Sequence, residues 1–195
     1  MSPSKPATHG AEPTAAQARV IAAALELFAQ HGVGGTSLRM IAGELGVTVA
    51  AVYHQYNTKN EIIVATVESE LLRLKTVVDI AEAEPTSARA REALIAGIIE
   101  LTIGIGRSMS AVLNDPIITG SFGRDAAYRN LMRRIRLVLM GNDTTPTARI
   151  RTATFMAAIN GAATHPFLAD LDDETLRREL LYVAHQLLPA AEQIA

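Results

Sequence analysis

An all-α protein is predicted: a three-helix head joined by a long helix to a larger helical body, about nine helices in all. Three observations predict it. Hydrophobic residues make up 49% of the 195 residues and aromatics only 4%, the profile of helices packed on small and aliphatic side chains. Apolar residues recur at helical spacing along the chain, with caps and glycines where helices should start and stop. Strand-like alternation, internal repeats and a domain linker are all missing from the sequence.

Residues 1–13, "MSPSKPATHGAEP", are rich in Pro, Ser, Ala and Gly and read as a disordered tail rather than a signal peptide. The first helix is expected from about Thr14 to His31, with Ile21, Leu25 and Phe28 on one stripe and Gly32 as its cap. Thr36 or Ser37 can cap a second helix through Leu45. Gly46 supplies a left-handed turn, and Thr48 caps a third helix to about Tyr56. "TKNE", Thr58 to Glu61, fits a capping box opening a fourth helix to about Glu82. "AREALIAGIIELTIGIG" is apolar almost all round, as in a helix buried on every side, and a short piece from Ser108 to Asn114 follows it. "RDAAYRNLMRRIRLVLMG" is a helix closed by Gly141, and Pro146 opens the next, which runs to about Thr164. Asp172 caps the last helix, which ends before Pro189. The expected division is a tail at 1–13, a head at 14–60 and a body at 61–195.

Composition excludes several chemistries. With 0 Cys there is no disulfide, thiolate nucleophile or zinc–thiolate site. None of the 5 His suggests a metal or catalytic group, and no Ser/His/Asp set or carboxylate pair stands out, so no enzyme, metal or cofactor is expected. The best membrane candidate, "ALIAGIIELTIGIG", is short and carries Glu100, so a cytoplasmic protein is expected. A net charge of −2 exerts no overall pull on nucleic acid, so DNA binding would have to rest on a local surface.

Such a surface is suggested by "MIAGELGVTVAAVYHQYNTKNEII", Met40 to Ile63. Two short helices joined by a Gly turn form a helix-turn-helix, with Ala42 small enough for a close crossing. Ile41, Leu45, Val47, Val52 and Tyr56 can make its core, which leaves Val49, Ala50, Tyr53 and His54 outside. Small residues at the start of the third helix let its backbone approach base edges in a major groove. A merely structural helix pair is the alternative. Tyr53 can reach a phosphate, Lys59 sits where a helix N-terminus and a cation together suit one, and Arg39 can reach a guanine edge or the backbone.

"AALELFAQHGVGGTSLRMIA", "LGVTVAAVYHQY" and the Lys just inside the next helix together resemble the DNA-binding head of TetR-family transcriptional repressors, from about Thr14 to Ile63. The resemblance implies phosphate contacts at Tyr53 and Lys59 and a DNA-facing surface at Arg39, Thr48, Val49 and Ala51. With Thr36, Ala50, His54 and Thr58, these are the expected DNA-binding residues. Ala50 stands where the family often has Gly, and Tyr56 where it usually has Phe. The resemblance covers the first third of the chain, the remainder agreeing only in architecture.

It also implies a small-molecule pocket and a dimer interface on the last two helices. Ala153, Ala157 and Gly161, at four-residue spacing, permit close helix approach, and Leu176, Leu180, Val183 and Leu187 offer a facing stripe. Phe155, Ile159, Leu181, Ala184 and Leu188 are left for the subunit's own core. Pocket candidates are Ile98, Leu101, Thr102, Ile105, Met109, Leu113, Phe122, Tyr128, Phe155 and Ile159, a lining that favours an apolar or amphipathic effector. Glu100, Thr102, Tyr128 and Asn160 are its candidate anchors, Glu100 being equally suited to pair with an Arg. The expected protein is a ligand-responsive repressor on a palindromic DNA operator, acting as a homodimer. The alternative is a helical small-molecule-binding or interaction protein with little DNA affinity, since Arg19, Arg39 and Lys59 are offset by Glu26, Glu44 and Glu61.

Overall fold

A computed structural model describes residues 13–113, 125–162 and 165–188, without the side chains of 29 and 105–113. Among the described residues every regular element is helical: α1 (Ala15–Gly35), α2 (Leu38–Glu44), α3 (Val49–Gln55), α4 (Lys59–Glu82), α5 (Ser87–Leu113), α6 (Ala126–Met140), α7 (Pro146–Ala162), a 3-10 turn (Pro166–Leu168) and α8 (Asp173–Leu187). No helix among them is long and apolar enough to cross a membrane. The expected N-terminal tail, up to residue 12, and Phe122 lie outside the described residues.

Local sequence signals place most boundaries. Thr14 and Gln17 form a reciprocal capping box at α1. Ser37, Thr48, Asp125 and Asp172 each accept a backbone N–H at the first turn of α2, α3, α6 and α8. Gly141, at φ +57°, closes α6. At α4 the box is displaced by one residue: Thr58 accepts from the Glu61 N–H at 3.1 Å, but the Glu61 carboxylate reaches back to the Asn57 N–H at 2.9 Å.

Three expectations change. Gly32 breaks α1, at φ 70° and ψ 164°, but a further helical turn follows to Gly35. The piece expected from Ser108 is continuous with α5. That helix is not buried on every side either. Leu94, Ile95, Ile98 and Ile99 form its inward stripe, while Glu92, Glu100 and Gly104 stay exposed.

Two hydrophobic cores share one helix. The head core joins Val20, Ile21, Ala24, Leu27 and Phe28 of α1 to Ile41, Ala42, Val52 and Tyr56, and α4 completes it with Ile62, Ile63 and Val67. The body core takes Val78 and Ala81 from the other end of α4 and packs them with α5, α6, α7 and α8. A division at residue 60 therefore cuts through the head. Polar ties fix the body: Arg134 reaches Asp79 and Glu82, each at 2.6 Å, holding α6 to α4. Arg177 binds Glu100, His185 Nε2 lies 2.8 Å from Glu92 Oε2, and Arg91 donates to the Leu188 carbonyl, all joining α8 to α5.

Between the two cores α4 buries Thr66, whose hydroxyl donates to the Ile62 carbonyl at 2.7 Å, and Glu70, only 6% exposed. One Glu70 oxygen is 3.5 Å from Arg73; the other has no hydrogen-bond partner among the described residues. Burial raises the Glu70 pKa, and Arg73 offsets part of that effect. A carboxyl with a raised folded-state pKa makes stability fall as pH climbs from its unfolded-state pKa through its folded-state pKa. Glu70→Gln should therefore raise Tm at pH 7 by about 2–4 °C, the size of a 1 kcal/mol desolvation cost. At pH 4, where the unfolded-state carboxyl is mostly protonated too, the gain should shrink. Melting curves of the two proteins at both pH values test this, and a lower Tm for the variant at pH 7 would contradict it.

Candidate nucleic-acid interface

The head's outer face is built around one turn. Leu45 ends α2, Gly46 takes φ +64°, and the Val47 N–H bonds the Ala42 carbonyl at 2.9 Å, so the chain reverses tightly into α3. Ala42, 2% exposed, sits where α2 and α3 cross, and Ile41, Val52 and Tyr56 anchor both helices inward. Leu45 packs at the margin of this core, whereas Val47, in the turn, is 39% exposed and contributes little to it.

With those residues inside, α3 presents Ala50, Ala51, Tyr53 and His54 to solvent, Tyr53 at 50% exposure. Val49 is divided, partly buried against the head core. The Thr48 hydroxyl accepts from the Ala51 N–H at 3.2 Å and Thr58 does the same for Glu61, so each O–H remains able to donate outward. His54 Nδ1 lies 3.2 Å from the Gln55 side-chain nitrogen. Arg39 is exposed on α2, and among the described residues its guanidinium has no hydrogen bond or ion pair. The result is a shallow face of small side chains flanked by two capped helix N-termini, a phenol and one unpaired cation. That shape and polarity suit a major groove bordered by phosphates.

Two residues expected on this face are occupied elsewhere. Thr36 is 3% exposed, and its hydroxyl donates to the Leu27 and Gly32 carbonyls at 3.1 and 3.0 Å, so it clamps the bend in α1 instead of facing DNA. Lys59 is not a bare cation. Its ammonium donates to the Val33 and Thr36 carbonyls at 2.5 and 2.9 Å, which pins the start of α4 to the α1–α2 connection. An ammonium has three donors, so one N–H is left for a phosphate.

In the body, Ile98, Phe155 and Ile159 are core residues, at 4%, 0% and 0% exposure, rather than cavity lining. The Thr102 hydroxyl is spent on the Ile98 carbonyl at 2.8 Å. Tyr128 is partly buried on α6. Leu101 does line an open cavity of about 270 Å³ between α4 and α5, with Arg73, Val77, Gly97, Glu100 and Gly104. Glu100 is paired there with Arg177, at 3.0 Å for one of its contacts. The side chains of Ile105, Met109 and Leu113 lie outside the described residues. On α7, Ala153, Ala157 and Gly161 form an exposed row. On α8, Leu176 and Leu180 are buried with Ala184 and Leu188 in the subunit's own core, so only Val183 and the half-buried Leu187 remain of the expected interface stripe. Tyr182, 62% exposed, lies beside them.

A helix-turn-helix head carried by an all-helical body defines a class of DNA-binding architecture. Residues 20–66 match the family model described as "Bacterial regulatory proteins, tetR family". The chain is 44% identical over 64 residues to the HTH-type transcriptional regulator SrpR of Pseudomonas putida, covering 30% of this chain and 30% of that protein. It is 33% identical over 63 residues to the HTH-type transcriptional repressor SCO4008 of Streptomyces coelicolor, covering 32% of this chain and 33% of that one. The match thus spans about a third of these relatives' own length. The whole fold is similar to that of the fatty acid degradation regulator FadR of Bacillus halodurans, with TM-score 0.71 and 13% identity over 93% of this chain and 98% of that one. It is also similar to a transcriptional regulator from Aquifex aeolicus, with TM-score 0.68 and 16% identity over 88% and 99% of the two chains. Residues 20–66 thus resemble the DNA-binding head of bacterial tetR-family regulators, and the fold of the chain is similar to that of these solved regulators.

Proposed function

We propose that the chain is a transcriptional repressor that binds a palindromic operator as a homodimer and is released by an apolar or amphipathic small molecule. The observation that carries the reading is the outer face of α3, where Ala50, Ala51 and Tyr53 stand free of the head core beside the capped start of α4. On this reading α3 enters the major groove, Arg39 reaches a base edge or phosphate, and Tyr53 and Thr58 donate to the backbone. The alternative, a helical binding protein with little DNA affinity, draws on Lys59, whose ammonium is mostly satisfied within the chain. A mobility-shift assay on the DNA upstream of the protein's own gene separates the two. Tyr53→Phe should weaken that binding about tenfold with an unchanged melting temperature, as expected for one lost hydrogen bond to a charged group. Equal affinity of the two proteins would remove Tyr53 from the interface.

The second copy is expected on α7 and α8. Ala153, Ala157 and Gly161 lie on one exposed row, and Tyr182 and Val183 are exposed on α8. A Cβ placed on Gly161 meets no other part of the described chain within 4 Å. Gly161→Leu should therefore fold normally yet yield monomers by light scattering at concentrations where the parent is a dimer. A parent that is itself a monomer at micromolar concentration would contradict the interface.

The release step would use α4, which begins at the DNA face and ends in the body core. An effector lodged along α5, where Leu101 borders the cavity against α4, would tilt that helix and change the spacing of the two heads. Successive major grooves on one face of DNA recur about every 34–36 Å, so a small change in spacing opposes simultaneous docking. The effector's leverage cannot exceed the difference in its affinity for the two states. Compounds that stabilise the protein in a thermal-shift screen, titrated against the protein–operator complex, test the step.

A further inference from the structure

We infer that the groove between α6 and α7 binds an amphipathic organic anion: a small molecule with an apolar body and a terminal carboxylate or phosphate. The groove encloses about 590 Å³, within the roughly 300–1,000 Å³ typical of small-molecule sites. Its walls are apolar, from Met140, Pro146, Ile150, Ala153 and Met156. Ile150, 66% exposed, adds a large aliphatic surface to the rim of the groove.

Charge decides the kind of occupant. Arg136 from α6 and Arg149 from α7 both line the groove, and among the described residues neither guanidinium has a hydrogen bond or ion pair. Two other arginines of the body, Arg134 and Arg177, are each committed to carboxylates. Arg136 and Arg134 sit on the same helix two residues apart, so α6 turns one arginine to Asp79 and Glu82 and the other to the groove. The acidic residue closest to Arg149 in sequence, Asp143, is turned onto the Thr145 N–H at 2.8 Å. The start of α7 at Pro146 adds the positive end of a helix to the same rim.

Two unpaired guanidiniums and flexible Met side chains around an apolar trough form a recognition set. The planar forks take a carboxylate or phosphate bidentately, and the thioethers adapt to an alkyl or aryl body. A cation is repelled by the same two groups, and an uncharged apolar molecule leaves both guanidiniums facing its polar end with no counter-charge. The site is distinct from the α4–α5 cavity and does not depend on the chain binding DNA.

The test uses the full chain without DNA and measures binding calorimetrically below the probes' micelle concentrations. The probes are decanoate, decyl phosphate, decan-1-ol and decyltrimethylammonium. Decanoate, decyl phosphate or both should bind at least tenfold more tightly than the alcohol, with no binding of the cation. The stronger of the two anions identifies the head group. Arg136→Gln and Arg149→Gln should each weaken the anion about tenfold while leaving the alcohol unchanged, and Arg136→Lys should recover part of the loss. Equal binding of the alcohol and the anions, or unchanged binding by both Gln variants, would overturn the proposal. Ala153 belongs both to the groove and to the exposed row on α7, so a second copy is the rival occupant. Absence of anion binding, together with dissociation of the Arg136→Gln/Arg149→Gln protein in sedimentation, would assign the groove to that copy and overturn the anion site.

Discussion

Gly97→Leu is expected to abolish cooperative folding, and Gly97→Ala to lower stability despite the better helix propensity of alanine. A Cβ at Gly97 would stand 2.4 Å from Val77 Cγ1, 3.3 Å from Cγ2 and 3.4 Å from Cβ, where α5 crosses α4. Val77 cannot easily swing aside, because a β-branched side chain in a helix has one strongly preferred rotamer. The helices would have to separate. Forcing one methyl into such a contact costs about 1–3 kcal/mol, against roughly 1 kcal/mol gained when Ala replaces Gly in a helix. The clash should win for Ala and dominate for Leu. Val77→Ala should rescue Gly97→Ala, so that the double variant melts above the sum of the two single effects. Additive melting temperatures in that cycle would mean that the α4–α5 contact yields more readily than its geometry indicates.

Lys59→Ala is expected to weaken both the head and its hold on DNA. Removing the ammonium strands the Val33 and Thr36 carbonyls, which it binds at 2.5 and 2.9 Å. Hydrogen bonds to charged groups contribute about 1.5–3 kcal/mol, so a loss of roughly that size in denaturant unfolding is expected. Operator affinity should fall too, and the salt dependence should flatten by about one unit of slope if the third N–H meets a phosphate. Lys59→Arg separates the contributions: it keeps the charge for DNA but presents a different donor geometry to the two carbonyls. A Lys59→Ala protein that is as stable as the parent would show that the carbonyl contacts carry no weight.

Lys59 also marks where the sequence stopped being readable. Its position at the start of a helix was plain from Thr58 and Glu61, because capping is a contact over three residues. Its partners lie 26 and 23 residues away, and no local pattern specifies them. Thr36 fails for the same reason: a threonine before a helix suggests a cap, but Ser37 takes that role and the bend at Gly32 claims the Thr36 hydroxyl. The head was otherwise legible, since Gly46, Ala42 and the Ile41–Val52–Tyr56 core are fixed by turn geometry and short-range packing. The body was legible as helices but not as faces. On α8 the buried row runs Leu176, Leu180, Ala184, Leu188. The sequence placed Ala184 and Leu188 in the core but set Leu176 and Leu180 on the outer stripe with Val183, because a four-residue leucine repeat does not say which face it lies on. Cavity residues were harder still, because a core isoleucine such as Ile98 and a lining one have the same pattern.

Because α4 serves both cores, this protein is not modular at the point where its sequence looks divisible. Ile62, Ile63 and Val67 close the head, and Val78 and Ala81 close the body, with no linker between. A fragment ending at residue 60 would lack Ile62, Ile63 and Val67 and leave the head core open on that side. A chimera that moves this head onto another body must carry α4 at least through Val67, and its seam must preserve the helical phase across Thr66 and Glu70. A one-residue insertion there would rotate the second half of α4 by about 100° relative to the first, turning Val78 and Ala81 out of the body core. Four added residues would nearly restore the phase but lengthen the helix by about 6 Å, carrying the head away from the body along the axis of α4.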